Sequence, residues 1–162
     1  MRLFVAVWPP DDVVGQLRAM PRPEVTGVRW STEDQWHVTL RFLGEVDGTN
    51  GVVAALAAAS LPAATVQLGP RVERFTSSIA ALPVRGVEAL AVAVADAVRP
   101  LDDEFRGHLT VARSRRRPIP DEVLGGLLTA RWAVREVALV RSELHPHGAR
   151  YEDVARFPVP LS

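Results

Sequence analysis

The sequence contains no cysteine and no lysine, since all 19 of its basic residues are arginines. Without cysteine there can be no disulfide, no thiol nucleophile and no cysteine-ligated metal. Without lysine there can be neither a lysine Schiff base nor the phosphate-binding lysine of a Walker motif. A chain without disulfides fits a reducing compartment, so we expect this protein in the cytoplasm.

Long hydrophobic runs are also absent. The apolar stretch Leu3–Trp8 is stopped by Pro9 and Pro10 and is too short for the hydrophobic region of a signal sequence. The longest later run, Ala89–Ala95, falls far short of the roughly 20 residues that a membrane helix needs. We therefore expect a soluble protein with no membrane partner.

The chain of 162 residues has no excess of either charge, because 19 acidic residues balance 19 basic ones. A protein that coats long nucleic acid needs a strong basic excess, so this class is disfavoured, whereas a pocket for one phosphate is not. Hydrophobic residues make up 48% and charged residues 23%, as in ordinary globular proteins. Residues 1–162 are thus expected to form a single domain.

Predicted strands and helices alternate along the chain without the long crossovers of a doubly wound sheet. We therefore predict an α+β fold with antiparallel sheets. The predicted strands are Arg2–Trp8, Val28–Trp30, Trp36–Leu43, Val66–Phe75, Ile79–Val84, His108–Ala112, Trp132–Leu144 and Tyr151–Val159. The predicted helices run from Pro10 to Met20, from Val52 to Ala59, from Val87 to Val98 and from Val123 to Leu128.

Two of the four histidines lie in matching contexts. His37 is followed by Val-Thr-Leu and His108 by Leu-Thr-Val, so that each begins a His, apolar, Thr, apolar pattern in a predicted strand. Because side chains alternate along a strand, His37 and Thr39 share one face, as do His108 and Thr110. The alternative is a pair of half-buried strand histidines with incidental threonines.

A pair of facing imidazoles suits acid–base chemistry. Since the ordinary pKa of histidine is near 6.5, one ring can be neutral while the other is protonated. Such a pair can take a proton from attacking water and give one to a leaving oxygen, each transfer contributing about 10²–10⁴-fold in rate. Thr39 and Thr110 could donate hydrogen bonds to non-bridging oxygens. This set of groups describes phosphodiester cleavage with no metal and no cofactor.

Segments around both histidines resemble the signatures of a known family. Trp36–Val46 resembles the first signature of the two-histidine (2H) phosphoesterases, and specifically of the LigT-like RNA 2′,3′-cyclic phosphodiesterases, also called the 2′-5′ RNA ligase family. Phe105–Arg113 resembles the second signature, and the two histidines are 71 positions apart. Arg2–Val7 and Ser142–Glu152 are similar to further family segments, so the resemblance spans nearly the whole chain.

The resemblance implies a fold and a reaction. The fold would have two pseudo-symmetric lobes, each an antiparallel sheet with outer helices. Each lobe would carry one of the two motifs, and both motifs would face a central cleft. The reaction would be hydrolysis of a terminal 2′,3′-cyclic phosphate of RNA to a 2′-phosphate. Carried over by position, His37 is the proton donor to O3′ and His108 is the base toward water. The family commonly has proline before the second histidine, whereas Gly107 stands here and is expected to loosen the backbone.

Two arginines are candidate phosphate ligands. Arg41 lies four positions after His37, so strand alternation places it on the same face; the alternative is a solvated residue paired with a carboxylate. Arg113 lies five positions after His108, out of phase with it, but family members tend to have arginine here. We expect a bulge or a strand end to turn Arg113 back toward the anion. The run Arg115–Arg117 either steers RNA or is a solvated loop.

The remaining aromatic, histidine and acidic candidates favour structural interpretations. Phe42 and Trp36 alternate away from the histidine face and are expected in the core, as is Phe75, although it could stack on a base. The segment His145–His147 is predicted to form a turn, because two histidines without a third ligand make a poor zinc site. The acidic cluster Asp102–Glu104 is expected to be a solvated loop.

Three functions remain open at this point. The first is metal-independent hydrolysis of RNA ends, or of small cyclic nucleotides, by a monomer; the sequence does not reveal whether the RNA is derived from tRNA. The second is a non-catalytic module that binds a terminal phosphate, although a fixed charge such as arginine would suit that role better than histidine. The third is the reverse reaction, 2′-5′ ligation, as a side activity.

Overall fold

The computed structural model describes residues 1–162 and contains ten β-strands and three α-helices. All strand pairs are antiparallel, so the predicted α+β class is confirmed. The strands are β1 (Arg2–Val7), β2 (Val28–Trp30), β3 (Val38–Glu45), β4 (Thr65–Leu68), β5 (Glu73–Thr76), β6 (Ile79–Arg85), β7 (His108–Ser114), β8 (Ala130–Ala133), β9 (Glu136–His145) and β10 (Gly148–Pro158).

The sheet consists of two similar halves that meet at the strands carrying the histidine motifs. Its strand order is β10-β9-β1-β3-β7-β6-β4-β8, while β2 pairs with β7 and β5 with β6. Along this order four strands lie on each side of the β3–β7 junction, and β2 and β5 add to the β7 side. This division agrees with the two-lobed arrangement predicted from the resemblance. The junction itself is narrow, because its register contains the single pair Val38 and Leu109.

The helices form where residues that favour a helix N-terminus are followed by apolar residues at helical spacing. Helix α1 (Asp11–Ala19) has Asp11 and Asp12 in its first turn, where carboxylates favour the positive end of the helix dipole. Helix α2 (Asn50–Ala58) contributes the buried Leu56, and helix α3 (Glu88–Val98) contacts both α2 and β3. None of the three has the length and hydropathy to span a bilayer.

The core lies between these helices and one face of the sheet. Because His37 and Thr39 alternate with apolar neighbours, the strand turns Val38 and Leu40 into this core, where both are buried. The second motif behaves in the same way, since Leu109 is buried completely. Burying one face of each motif strand leaves the opposite face, which carries the histidines, free to line a cavity.

One predicted strand is two strands in the structure. The prediction of a continuous strand over Val66–Phe75 is wrong, because the chain leaves the sheet between β4 and β5. Gly69 adopts a φ of +103°, and a Cβ on it would lie within 1.8 Å of the Leu128 carbonyl oxygen. Pro70 has no N–H to donate to a ladder, which is the signal that could have located this break. The end of the predicted strand is present as β5, which pairs with β6.

Two other boundaries are also corrected. The predicted strand Trp132–Leu144 divides at Val134 and Arg135, because β8 pairs with β4 in one half of the sheet and β9 with β1 in the other. The predicted helix over Val123–Leu128 is a single 3₁₀ turn at Asp121–Val123. The two glycines that follow this turn, one with a φ of +93°, disfavour helix.

Candidate active site

Both His-x-Thr pairs line one cavity on the face of the sheet opposite the core. The cavity measures about 470 Å³ and includes His37, Thr39, His108 and Thr110 among its lining residues. A volume of this size lies within the range of small-molecule sites and exceeds the space that one phosphate fills.

The charge of the cavity is one-sided. In a chain of zero net charge, the cavity lining includes three arginines and three histidines but no aspartate or glutamate. Positive potential without a competing carboxylate favours an anionic ligand. The basic lining residues are Arg2, Arg29, His37, His108, Arg113 and His145.

His37 is held by hydrogen bonds at both ring nitrogens. Its Nδ1 lies 2.7 Å from the Gln35 carbonyl oxygen, which can only accept, so Nδ1 carries the proton of the neutral ring. Its Nε2 lies 2.9 Å from Thr39 Oγ1 and faces the cavity. Gln35 is itself anchored, since its side-chain amide donates to the Ala149 carbonyl at 2.8 Å. The ring is thus fixed in one orientation and one tautomer.

Aromatic side chains surround the His37 ring on the other sides. Ring centroids lie 4.9 Å away for Phe4, 5.2 Å for Tyr151 and 5.6 Å for Trp8. Tyr151 is the only tyrosine of the chain and lines the cavity. This apolar surround disfavours a charged imidazole in the unliganded protein.

His108 is oriented by the same device in the other half of the sheet. Its Nδ1 lies 3.0 Å from the carbonyl oxygen of Arg106, again two residues earlier in the chain. The imidazole stacks on Phe75 with centroids 3.8 Å apart and planes inclined by 18°. The Arg106 guanidinium covers the Phe75 ring at 4.4 Å. The prediction that Phe75 belongs to the core is therefore corrected: this half-buried ring supports His108.

The environment lowers the pKa of both histidines. Burial lowers the pKa of His37 to about 4, against the opposing effect of the Gln35 carbonyl, and the positive charges of His108 and Arg113 lower it further. Burial also lowers the pKa of His108, where the Arg106 carbonyl opposes the effect and the charges of Arg106 and Arg113 add to it. Both rings are accordingly neutral at pH 7 in the unliganded protein. The Nε2 lone pair of His37 accepts from the Thr39 hydroxyl, whereas that of His108 has no partner in the protein.

The two motif strands carry a bulge at the same position. In β3 the register passes from Thr39 to Arg41 and leaves Leu40 unpaired with β1. In β7 it passes from Thr110 to Ala112 and leaves the next residue unpaired with β6. A classic bulge of this kind reverses the alternation, so the fifth residue after each histidine, and not the fourth, faces the cavity.

The bulge explains the placement of Arg113. This residue lines the cavity together with both histidines, as the expected bulge in the second motif requires. Its positive charge lowers the pKa of each histidine, so the guanidinium lies within electrostatic reach of both rings. Arg113 has no carboxylate partner within 4.0 Å.

The same bulge turns Arg41 away from the cavity that holds both histidines and overturns the prediction that Phe42 lies in the core. Arg41 does not line the cavity that holds both histidines, but it lines a neighbouring cavity of about 240 Å³ that includes Thr39 and His108. Its guanidinium donates to the carbonyls of Arg99 and Pro100, both at 2.8 Å, just after α3 ends. Such contacts satisfy carbonyls that the helix terminus leaves unpaired. Phe42, expected in the core, is 57% exposed and lines the cavity. The prediction for Trp36 is confirmed, since it is buried.

Several cavity residues were not singled out from the sequence. Arg29 on β2, Tyr151 on β10 and Ser142 on β9 reach the cavity from strands that are distant in the chain. His145, assigned only to a turn, is the last residue of β9 and also lines the cavity. Strand alternation could have grouped each with its own neighbours, but no local signal indicated that these strands meet.

Gly107 has a packing role that the sequence did not indicate. Its carbonyl accepts a hydrogen bond from the Val84 N–H at 3.0 Å, and a Cβ on Gly107 would lie 2.4 Å from the Val84 carbonyl oxygen. The backbone before His108 is therefore held closely against β6, which corrects the expectation of a loosened backbone. As predicted, Arg115–Arg117 and Asp102–Glu104 are exposed and lie outside helices and strands.

Comparisons with known proteins agree with this architecture. The family model of the 2′-5′ RNA ligase superfamily matches residues 6–146. An RNA 2′,3′-cyclic phosphodiesterase of Thermus thermophilus is 33% identical, and the match covers 97% of this chain and 89% of that protein.

Solved structures show the same fold. The crystal structure of E. coli LigT complexed with 3′-AMP has 25% sequence identity and a TM-score of 0.78, with 98% of this chain and 96% of that chain covered. A crystal structure of a Thermus thermophilus protein has 30% identity and a TM-score of 0.71, with 98% of both chains covered. Family model, relatives and the paired motifs agree, and the chain belongs to the 2′-5′ RNA ligase superfamily of 2H phosphoesterases.

Proposed function

We propose that this protein hydrolyses 2′,3′-cyclic phosphate ends of RNA to 2′-phosphomonoesters by acid–base catalysis between His37 and His108. The observation that supports this best is the shared cavity, in which both His-Thr pairs lie among arginines and no carboxylate is present. The similar Thermus thermophilus protein is named for this activity, and the E. coli relative forms a complex with 3′-AMP, a ribonucleotide with phosphate on the ribose.

The proposed step exchanges one P–O bond for another. The oxygen of a water attacks phosphorus while the Nε2 of His108 accepts the water proton. The bond from phosphorus to O3′ breaks, and the Nε2–H of His37 donates its proton to O3′. The products are a 2′-phosphomonoester and a free 3′-hydroxyl, and the proton gained by His108 is released to solvent as His37 is reprotonated.

The depressed pKa of His37 makes protonation depend on the substrate. With a pKa of about 4, His37 lacks the donated proton at neutral pH while the cavity is empty. A cyclic phosphodiester brings a negative charge next to the ring, and an opposite charge within a few ångströms raises a histidine pKa. Substrate binding and protonation of the pair would therefore be coupled.

The threonines and Arg113 would stabilise charge that develops on the non-bridging oxygens. The hydroxyl of Thr110 has no hydrogen-bond partner in the protein and is free to donate to substrate, whereas the hydroxyl of Thr39 already pairs with His37. Preorganised donors and a cation aimed at developing charge are a main source of rate enhancement in enzymes. Arg113, which lies close to both histidines, would bind the reactive phosphate.

The deciding experiment is turnover of a cyclic-ended oligonucleotide in the presence of EDTA, with the product phosphate identified as 2′ or 3′. We expect the 2′-phosphate, and we expect His37→Ala and His108→Ala each to lower kcat by at least about 10²-fold. His147→Ala is the matched control, because this exposed turn histidine does not line the cavity. Loss of turnover in EDTA with both variants still active would contradict the proposal, and tight binding without product would favour a non-catalytic end-binding module.

The two histidine roles can be separated with an activated leaving group. A nitrophenyl phosphodiester releases nitrophenolate without needing a proton, so the loss caused by removing the proton donor becomes smaller with this substrate. We expect the His37→Ala defect to shrink and the His108→Ala defect to persist. The reverse pattern would exchange the two roles.

The proposal also includes the setting of the reaction. Metal independence is supported by the cavity lining, which offers no carboxylate oxygens to a magnesium or calcium ion. Both motifs come from one chain, so residues 1–162 would act as one two-lobed domain and as a monomer in the cytoplasm. Light scattering of the purified protein, with and without substrate, tests the monomer.

A further inference from the structure

Arg29 and Arg113 form an unusual pair beside the candidate active site. They are directly opposite each other in the register of β2 and β7, and both line the cavity. Like charges directly opposite each other on antiparallel strands are destabilising. Local rules of this kind are broken mainly at functional sites.

Neither arginine has a carboxylate partner to offset this repulsion. The chain does pair other arginines, since Arg18, Arg74 and Arg156 each lie within 4.0 Å of an aspartate or glutamate. Arg29 and Arg113 form no such ion pair. Two adjacent guanidinium groups without a protein counterion favour an anion supplied by a ligand.

The two guanidinium groups both act on Tyr151 but differ in their effect on the histidines. The charge of Arg113 lowers the pKa of both histidines. At Tyr151, where burial raises the pKa, the charges of Arg113 and Arg29 both oppose that rise, whereas Arg29 has no such effect on the histidines. Arg29 extends toward the β9–β10 turn, where a Cβ on Gly148 would lie 3.4 Å from its Nη1. Both arginines and Tyr151 also line a side pocket of about 40 Å³, together with His37 and Thr110.

We infer that Arg29 forms a second anion subsite, which binds the 5′-phosphate of the terminal nucleotide while Arg113 and the histidines hold the cyclic phosphate. In an RNA chain this second phosphate is the linkage to the preceding nucleotide. The enzyme is therefore built to prefer a cyclic end that carries a 5′-phosphate over a bare nucleoside 2′,3′-cyclic phosphate. This inference rests on the proposed function.

The kinetic test compares a nucleoside 2′,3′-cyclic phosphate with the same compound bearing a 5′-phosphate, in wild type and Arg29→Gln. We expect Arg29→Gln to raise KM about ten-fold for the 5′-phosphorylated substrate and to leave kcat unchanged, because a uniform binding contact is removed. For the substrate without a 5′-phosphate, KM and kcat should each change less than about two-fold, because Arg29 would contact only the second phosphate. Arg131→Gln, the same change at an exposed arginine on β8 outside the cavity, should alter neither substrate.

Equal effects of Arg29→Gln on both substrates would place Arg29 on the reactive phosphate and overturn the inference. An absence of effect on either substrate would also overturn it. Calorimetric binding of adenosine 2′,5′-bisphosphate and adenosine 2′-phosphate separates this failure from failure of the proposed hydrolysis. One outcome is that the wild type hydrolyses neither cyclic substrate, while Arg29→Gln binds the bisphosphate more weakly than the wild type and binds adenosine 2′-phosphate equally well. In that case the proposed hydrolysis is wrong and the second anion subsite is supported. If hydrolysis occurs and Arg29→Gln weakens both nucleotides equally, the subsite fails alone.

Discussion

At the residue scale, both cavity imidazoles are oriented by a carbonyl two positions earlier in the chain. The Nδ1 of His37 binds the Gln35 carbonyl, and that of His108 binds the Arg106 carbonyl. Fixing Nδ1–H on a backbone oxygen leaves Nε2 as the only nitrogen that can exchange a proton with a ligand. The two rings differ in their surroundings, since aromatic residues enclose His37 whereas Phe75 stacks on one face of His108.

These environments predict the pH dependence of activity. The proposed reaction needs one proton on the His37–His108 pair, and both pKa values are lowered from 6.5 in the free protein. The profile of kcat/KM reports the free enzyme, so we expect a bell with its maximum below pH 6.5. Because bound phosphodiester raises the histidine pKa, the kcat profile should lie at higher pH. A flat kcat/KM profile from about pH 5 to 9 would contradict paired imidazole catalysis.

Phe42 offers an apolar surface at the cavity. Its ring is 57% exposed, and Leu144, which is 79% exposed, lines the same cavity. Stacking of a base on an aromatic ring contributes about 1–3 kcal/mol. We expect Phe42→Ala to raise KM for a cyclic-ended oligonucleotide about ten-fold, a loss of about 1.4 kcal/mol.

The matched control for Phe42 is Leu127→Ala, which shortens another exposed apolar side chain outside the cavity. Steady-state kinetics of both variants on the same oligonucleotide provide the comparison. An unchanged KM in Phe42→Ala, or an equal rise in Leu127→Ala, would remove Phe42 from substrate binding.

At the element scale, the site depends on how β7 is held against β6. The β6–β7 register contains a bulge just after Thr110, and Gly107 approaches the Val84 backbone too closely for any Cβ to fit. The bulge turns Arg113 inward and the close approach fixes the backbone next to His108. One strand therefore positions an imidazole, a hydroxyl and a guanidinium together.

Gly107→Ala tests the close approach. A Cβ 2.4 Å from the Val84 carbonyl oxygen must push the strands apart, and overpacking of this kind costs about 1–3 kcal/mol. We expect a lower midpoint of thermal unfolding and a kcat reduced by at least about ten-fold, since misplaced catalytic groups are penalised strongly.

Gly15→Ala is the control for this variant, because a Cβ on this α1 glycine would meet nothing within 4 Å. Alanine is preferred over glycine in a helix interior by up to about 1 kcal/mol, so this change should maintain or raise stability. Wild-type kcat and thermal midpoint in Gly107→Ala would show that the strand contact does not position His108.

At the scale of the whole molecule, the buried neutral His37 links folding to pH. Its pKa is about 4 in the folded protein and near 6.5 when exposed, so the unfolded chain binds more protons between these values. Stability contributed by the neutral ring is present above pH 6.5 and is lost as the pH falls toward 4. The free energy of unfolding should decrease on the order of 1.4 kcal/mol per pH unit within this window.

Urea denaturation at several pH values, in wild type and His37→Gln, measures this contribution. Carboxylates titrate over part of the same range, so the difference between the two proteins is the informative quantity. Parallel curves would mean that His37 titrates alike in the folded and unfolded states.

Much of the molecule follows from local sequence patterns. The alternation in His37–Leu40 and His108–Val111 correctly predicted which side chains enter the core, and apolar spacing located α1, α2 and α3. Pro70 and the paired glycines after Leu124 carried signals for the breaks that were missed. These features depend on backbone preferences and periodicity, which act between residues close in the chain.

By itself, then, the sequence determined the family, the paired histidines and the face of each motif strand that is buried. Only the tertiary structure decided that Phe42 and Arg113 face the cavity while Arg41 caps a helix, because a bulge depends on the partner strand against which it forms. It also decided that Arg29 and Tyr151 join the histidines. Strand pairing brings together residues more than 100 positions apart, and no local pattern encodes that meeting.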